Sequence, residues 1–201
     1  MPTDPTPDSR LTTQDSLLVI VGGPNGCGKT TFAVRYSGMK NLKYLGADLI
    51  AGRLNPANPL AAAVKAGRLF SSELAAALSQ GESLVVESTL SGLSLRKPIR
   101  LAADRGYRVK MVFVYLDAPE ACLARVRERV AKGGHNVPQA DIARRFSRSL
   151  RNFWQVYRLM ATDWSLFYNG GKSAVRVASS RQGTLSVADE QAFADFLRLA
   201  E

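Results

Sequence analysis

Residues 17–21, Leu-Leu-Val-Ile-Val, run directly into Gly22-Gly-Pro-Asn-Gly-Cys-Gly-Lys-Thr30, and this junction restricts the chain to a narrow set of folds. Five consecutive apolar residues suit a strand covered on both faces, the usual state of a strand in a parallel sheet. From Gly23 to Thr30 the chain spells a complete Gly-x-x-x-x-Gly-Lys-Thr phosphate loop, and Thr31-Phe-Ala-Val-Arg-Tyr36 continues it as a helix. The residue types match the chemistry. Glycines let successive backbone N–H groups turn inward around phosphates, the Lys29 ammonium suits the β and γ oxygens, and the Thr30 hydroxyl suits Mg²⁺. The positive end of the helix faces the same anion. The expected ligand is ATP or GTP with Mg²⁺, held by Gly23, Pro24, Asn25, Gly26, Cys27, Gly28, Lys29, Thr30 and Thr31, with Thr30 as the metal ligand.

The rest of the chain repeats the strand-then-helix order. Leu42–Gly46 predicts a short strand with Ala47-Asp48 at its carboxyl end, Asn58–Ser79 a long helix, Ser83–Glu87 a strand, and Leu93–Arg105 a helix stopped by Gly106. In the long helix Leu60, Val64, Phe70, Leu74 and Leu78 are expected to share one face. Tyr107–Leu116 predicts a strand, and Asp117, Pro119 and Glu120 a capped start for a helix reaching Lys132. Gly133-Gly-His-Asn-Val-Pro138 breaks that helix, and Gln139 to about Met160 forms the next. Strands at Trp164–Tyr168 and Ala174–Ala178 flank Asn169-Gly-Gly171, and a helix from Val187 to Leu199 closes the chain. The expected fold is α/β, a three-layer P-loop NTPase sandwich with a mainly parallel sheet and a helical lid, with ligands at the carboxyl ends of the strands.

A chain of 201 residues with 46% apolar content is sufficient for one core, so residues 16–201 are expected to form a single P-loop domain. Residues 1–15 hold three of the nine prolines and read as a disordered leader. The longest early apolar run is far below the roughly 20 residues needed to span a bilayer. Two cysteines, Cys27 and Cys122, support neither a disulfide framework nor a thiolate metal site, which fits a cytoplasmic protein. The net charge of +10 is concentrated in residues 96–151, where fourteen Lys and Arg face five Asp and Glu. Such a surplus serves a nucleic acid or a polyanionic nucleotide alike, but no RNA-binding aromatic signature or helix-turn-helix pattern favours the first.

Three acids come after predicted strands. Asp48 is the candidate base that accepts a hydroxyl proton during phosphoryl transfer, with a turn or cap aspartate as the plainer reading. Glu87, with Ser88 and Thr89 sharing the duty, is placed to orient an acceptor hydroxyl or a Mg²⁺-bound water, or else faces solvent. Asp117 reads as a helix cap. Arg125 and Arg129 lie one helical turn apart and suit one triphosphate. Arg144, Arg145, Arg148 and Arg151 are further candidates, with Arg145 nearest the apolar edge and a solvated basic face as the alternative. His135, flanked by glycines, either touches phosphate in a closing lid or hydrogen-bonds the turn.

Taken in order, Gly23–Thr31, Leu45-Gly-Ala-Asp-Leu-Ile50, Glu87-Ser-Thr-Leu-Ser-Gly92, Val114-Tyr-Leu-Asp117 and Arg129-x-x-x-Gly-Gly-His-x-Val-Pro138 followed by Arg144-Arg-Phe resemble the zeta-toxin family. The resemblance spans about residues 17–155. It implies a P-loop kinase like the family's UDP-N-acetylglucosamine kinases, with an antitoxin protein as partner. It also implies Lys29, Asp48 and Arg129 as catalytic residues, Thr30 at Mg²⁺, and Glu87 and Thr89 with Asp48 at the substrate, a second phosphate cation then falling to Arg144 or Arg145. The chain departs from the wall-poisoning toxins in having His135 near where they carry a second arginine. The expected activity is ATP- and Mg²⁺-dependent phosphorylation of a small-molecule hydroxyl. An ATPase switch acting on a partner and a polynucleotide kinase remain the alternatives.

Overall fold

The computed structural model describes residues 16–134 and 136–201, so the expected leader and His135 lie outside the described residues. Its centre is a seven-stranded sheet in the order β2-β3-β1-β4-β5-β6-β7. The strands are β1 (Leu17–Gly22), β2 (Lys43–Gly46), β3 (Leu84–Ser88), β4 (Arg108–Tyr115), β5 (Asp163–Tyr168), β6 (Val175–Arg181) and β7 (Thr184–Val187). The first five are mutually parallel, and β6 and β7 are antiparallel. The apolar runs account for this arrangement. Leu18–Val21, Leu84–Val86 and Met111–Tyr115 are buried along their whole length, which requires cover on both faces.

The helices are α1 (Lys29–Lys40), α2 (Ala47–Leu54), α3 (Ala63–Ser79), α4 (Arg96–Asp104), α5 (Pro119–Ala131), α6 (Gln139–Gln155) and α7 (Glu190–Leu199), with a 3₁₀ turn at Tyr157–Met160 after α6. They lie on both faces of the sheet. On β5, Phe167 meets Phe32 of α1 with ring centroids 5.3 Å apart, whereas Trp164, three residues earlier and so facing the other way, meets Phe153 and Trp154 of α6. Phe153 also stacks on Phe113 of β4 at 4.3 Å, and Phe196 of α7 abuts both rings edge-on. This aromatic cluster ties α6 and α7 to the sheet. No helix among the described residues is long and apolar enough to cross a membrane.

Several boundaries differ from the sequence reading. Residues 59–62 form turns, so the long helix starts at Ala63, and Leu60 and Val64 are 55% and 72% exposed while Leu74 and Leu78 are buried. The alanines Ala66 and Ala77 take up the buried positions instead. A short helix, α2, occupies what reads in the sequence as a plain connection after β2. Asp117 is not a cap: Ala118 holds that position without a side-chain bond, and Asp117 instead accepts from the Tyr168 hydroxyl at 3.1 Å. Strand β7 has no counterpart in the sequence reading. It comes after the turn Gln182-Gly183, whose two residues both have positive φ, with glutamine where asparagine is the usual signal.

Candidate active site

The phosphate loop leaves the carboxyl end of β1 and is shaped by close backbone approach. A Cβ at Gly23 would lie 2.0 Å from the Val114 carbonyl oxygen, and one at Gly28 would lie 2.5 Å from Asn169 Nδ2, so neither position admits a side chain. Gly28 is left-handed at the start of α1. Cys27 and Asn25 are buried beneath the loop, while Thr30 and Thr31 are exposed at its mouth. The Lys29 ammonium donates to the Pro24 carbonyl at 2.8 Å, folded back over the loop that its charge would share with phosphate oxygens.

A brace that the sequence reading missed holds the loop from the far side. Asn169, just after β5, donates from its side-chain amide to the Cys27 carbonyl at 2.8 Å and from its backbone N–H to the Tyr115 carbonyl at 3.0 Å. Arg125 of α5 donates to the Asn169 carbonyl at 2.6 Å. Expected at the nucleotide phosphates, Arg125 is thus engaged with the brace. Asn169-Gly-Gly171 carries only a turn signal in the sequence, and nothing local points back 142 residues to the loop.

A cleft of about 630 Å³ opens beside the loop at the carboxyl ends of β2 and β3. It is lined by Lys29, Asp48 and Glu87, by the hydroxyl residues Ser88, Thr89, Ser91 and Ser94 that form its rim, and by Arg144, Arg145 and Arg148 of α6. Phe70, Leu74, Leu95 and Pro98 supply apolar surface. Asp48 stands in the first turn of α2, exposed to the cleft. Arg129, half-buried in the last turn of α5, is not among the lining residues. Its stem packs where a Cβ on Gly134 would lie, 2.5 Å from Arg129 Cγ.

Glu87 joins the two halves. One carboxylate oxygen accepts from the Thr30 hydroxyl at 2.9 Å, and the other accepts from the hydroxyl of Tyr44 on β2. Burial, then the Glu87 charge, push the Tyr44 phenol well above its ordinary value, so it remains a donor. In the sequence Tyr44 is marked only as a strand residue. Thr89 is also engaged locally, its hydroxyl 2.9 Å from that of Ser91.

The segment 89–92 is pinned from α6 and its 3₁₀ extension. Ser149 donates to the Thr89 carbonyl, Asn152 to the Leu90 carbonyl at 2.8 Å, and Tyr157 to the Gly92 carbonyl at 2.6 Å. The helix expected to belong to a lid is therefore anchored in the body. On its cleft side Arg144 and Arg145 both bond Asp141, at 2.6 and 3.2 Å, and these guanidinium groups hold the Asp141 carboxyl below its usual range. Arg145 is the less exposed of the two, at 35% against 54%, as its position near the apolar edge predicts. Arg151 is drawn away to the Glu201 carbonyl at 2.9 Å and is not among the cleft residues.

The donor set tests the fit of a metal. No group of three or more His, Cys, Asp and Glu side chains clusters among the described residues. The oxygens beside the loop are the Thr30 hydroxyl and the Glu87 and Asp48 carboxylates, all hard donors. They fit Mg²⁺, which takes one or two protein oxygens and fills its shell with phosphate and water.

Comparison with known proteins agrees with this architecture. The sequence profile of the AAA domain family (AAA_33) matches residues 18–150. An uncharacterised protein of Haemophilus influenzae is 29% identical over 137 residues, covering 68% of this chain and 97% of that protein. Among solved structures, the AvrRxo1-ORF1:-ORF2 complex superposes with a TM-score of 0.75 at 17% identity, over 94% of this chain and 67% of the other. The same pair has been solved with ATP, at a TM-score of 0.72. The PezAT chromosomal toxin-antitoxin system of Streptococcus pneumoniae superposes at 0.63 with 16% identity, over 96% and 88% of the two chains. At these identities the superpositions establish a shared fold, and the profile match over residues 18–150 shows that the chain belongs to the AAA domain family of P-loop proteins.

Proposed function

We propose that the chain is an ATP- and Mg²⁺-dependent kinase that transfers the γ-phosphoryl group to a hydroxyl of a small anionic molecule, a nucleotide sugar such as a UDP-amino sugar being the leading example. The observation that carries this reading is one cleft lined together by Lys29 of the phosphate loop, Asp48, and Arg144, Arg145 and Arg148. Phosphoryl transfer asks the protein mainly for positioning and positive charge. Asp48 accepts the proton of the acceptor hydroxyl as its oxygen bonds to the γ-phosphorus and the bond to the β-phosphate oxygen breaks. Lys29 exchanges the Pro24 carbonyl for phosphate oxygens, and Arg129 steadies the transferring group. Thr30 would hold Mg²⁺, which would supply charge neutralisation to the phosphates when bound. The arginine wall receives the acceptor's own anionic group, because guanidinium forks match phosphate oxygens. Its hydroxyl-rich rim suits a sugar.

The likeness to a structure solved with ATP supports the donor assignment, and the likeness to two-protein systems supports a protein partner. Incubating the protein with γ-labelled ATP and a metabolite extract is expected to label a small acidic product in a Mg²⁺-dependent way. Hydrolysis of ATP without a labelled acceptor would instead indicate a switch. Labelling of 5′-hydroxyl oligonucleotides, weakened steeply by salt, would indicate a polynucleotide kinase.

A further inference from the structure

Glu87 reads from the sequence as a carboxylate that orients an acceptor hydroxyl or a Mg²⁺-bound water, and both of its oxygens receive protein hydroxyls, Thr30 on one and Tyr44 on the other. A threonine hydroxyl has one proton and two lone pairs. With its proton directed at Glu87, Thr30 presents only lone pairs elsewhere, the state a metal ligand needs. The carboxylate in turn is held in place by Tyr44, whose ring is half-buried and packed against the core on β2, a strand in register with β3 through Gly46 and Glu87. Gly46 leaves the space for this: a Cβ there would lie 3.0 Å from the Tyr44 hydroxyl and 3.7 Å from Glu87 Cβ.

We infer that Tyr44 is a positioning residue for the metal, acting through Glu87 to keep the Thr30 hydroxyl turned with its lone pairs toward the nucleotide's divalent cation. Outer partners of this kind fix the orientation of the group that touches the metal, and their loss costs about 10–100-fold in metal affinity. The relay spans β2, β3 and the first turn of α1, so it links the acceptor side of the cleft to the cation side. The inference rests on the kinase reading only in requiring that nucleotide and Mg²⁺ bind together at the loop.

Binding of a non-hydrolysable ATP analogue, measured by calorimetry on the full chain across a Mg²⁺ series, tests it without any acceptor. Tyr44→Phe keeps the ring and removes only the donor. The Mg²⁺ concentration at half-effect is expected to rise about tenfold, with metal-free nucleotide affinity unchanged and the thermal unfolding profile retained. On a Glu87→Gln background the same substitution is expected to add nothing, since the two act in series. An unchanged Mg²⁺ midpoint or an equal loss of metal-free affinity would each overturn the inference while leaving the kinase reading in place. Failure of the wild-type chain to bind nucleotide at all would overturn both.

Discussion

Asn169 closes its side-chain amide on the Cys27 carbonyl at 2.8 Å, so the phosphate loop is secured from the opposite end of the chain. The hydrogen bond is partly buried, and its removal leaves the carbonyl unpaired at a cost of about 1–3 kcal/mol. Asn169→Ala is accordingly expected to weaken ATP-analogue binding about tenfold, a factor worth about 1.4 kcal/mol. Arg125→Ala, which releases the Asn169 carbonyl, is expected to weaken it in the same direction, and the double variant no more than the stronger single one. Calorimetric titration of the three variants checks this, and full additivity would show that Arg125 contacts the nucleotide independently.

Asp48 sits on the cleft face of α2, where its carboxylate is open to an incoming hydroxyl. Asp48→Ala is expected to lower phosphoryl transfer by about 10³-fold, within the range typical of a general base, while nucleotide binding is kept. Single-turnover assays beside equilibrium binding separate the two quantities. Normal turnover would remove Asp48 as the base.

The arginines are expected to divide by kinetic parameter. Arg148→Ala and Arg145→Ala should raise the acceptor KM about tenfold each, the scale of one charged hydrogen bond, with kcat little changed. Arg129→Ala should instead lower kcat about 10³-fold, the low end of what a γ-phosphate arginine contributes. Steady-state kinetics in both substrates decide this, and a KM effect at Arg129 would move that residue to the acceptor side.

Both thiols are expected to be inert in the folded protein. Burial raises Cys27 despite the opposing Lys29 charge, and it raises Cys122 to about 12. Alkylation at pH 8 should be negligible until the chain unfolds. The unfolded thiol ionises near 9 and the folded one only higher, so stability associated with these groups is complete below about pH 9 and declines as pH rises toward the folded value. Thermal melts from pH 7 to 10, compared with those of a Cys122→Ala variant, report the decline.

Phe153 is fully buried between Phe113, Trp164 and Phe196. Its replacement by alanine is expected to destabilise the fold by about 3–5 kcal/mol, read from urea unfolding. Because α6 pins residues 89–92, the surviving folded fraction should also show a raised acceptor KM.

The fold was legible because its signals are local and periodic: buried apolar runs for the parallel strands, and a loop motif that dictates the helix after it. Leu84–Val86 and Met111–Tyr115 announced themselves in this way. The misreadings arose where long-range packing outweighed local pattern. Leu60 and Val64 looked like core because their spacing matched a helix face, yet small Ala66 and Ala77 lie inward because α2 and α4 pack close to α3. Within the site, residues named by a motif, Lys29, Asp48 and Glu87, do line one cleft. Residues that act only by reaching across the sheet, Tyr44 and Asn169, had no sequence neighbour to reveal them.

The pinning of residues 89–92 by Ser149, Asn152 and Tyr157 has an evolutionary consequence. All three donors grip main-chain carbonyls, so these bonds do not depend on which side chains the rim carries. Arg144, Arg145 and Arg148 project from the same helix without taking part in these three bonds. Exchange of Arg144, Arg145 and Arg148 therefore leaves these carbonyl contacts in place, so the charge of the cleft can drift in evolution while the rim stays where it is.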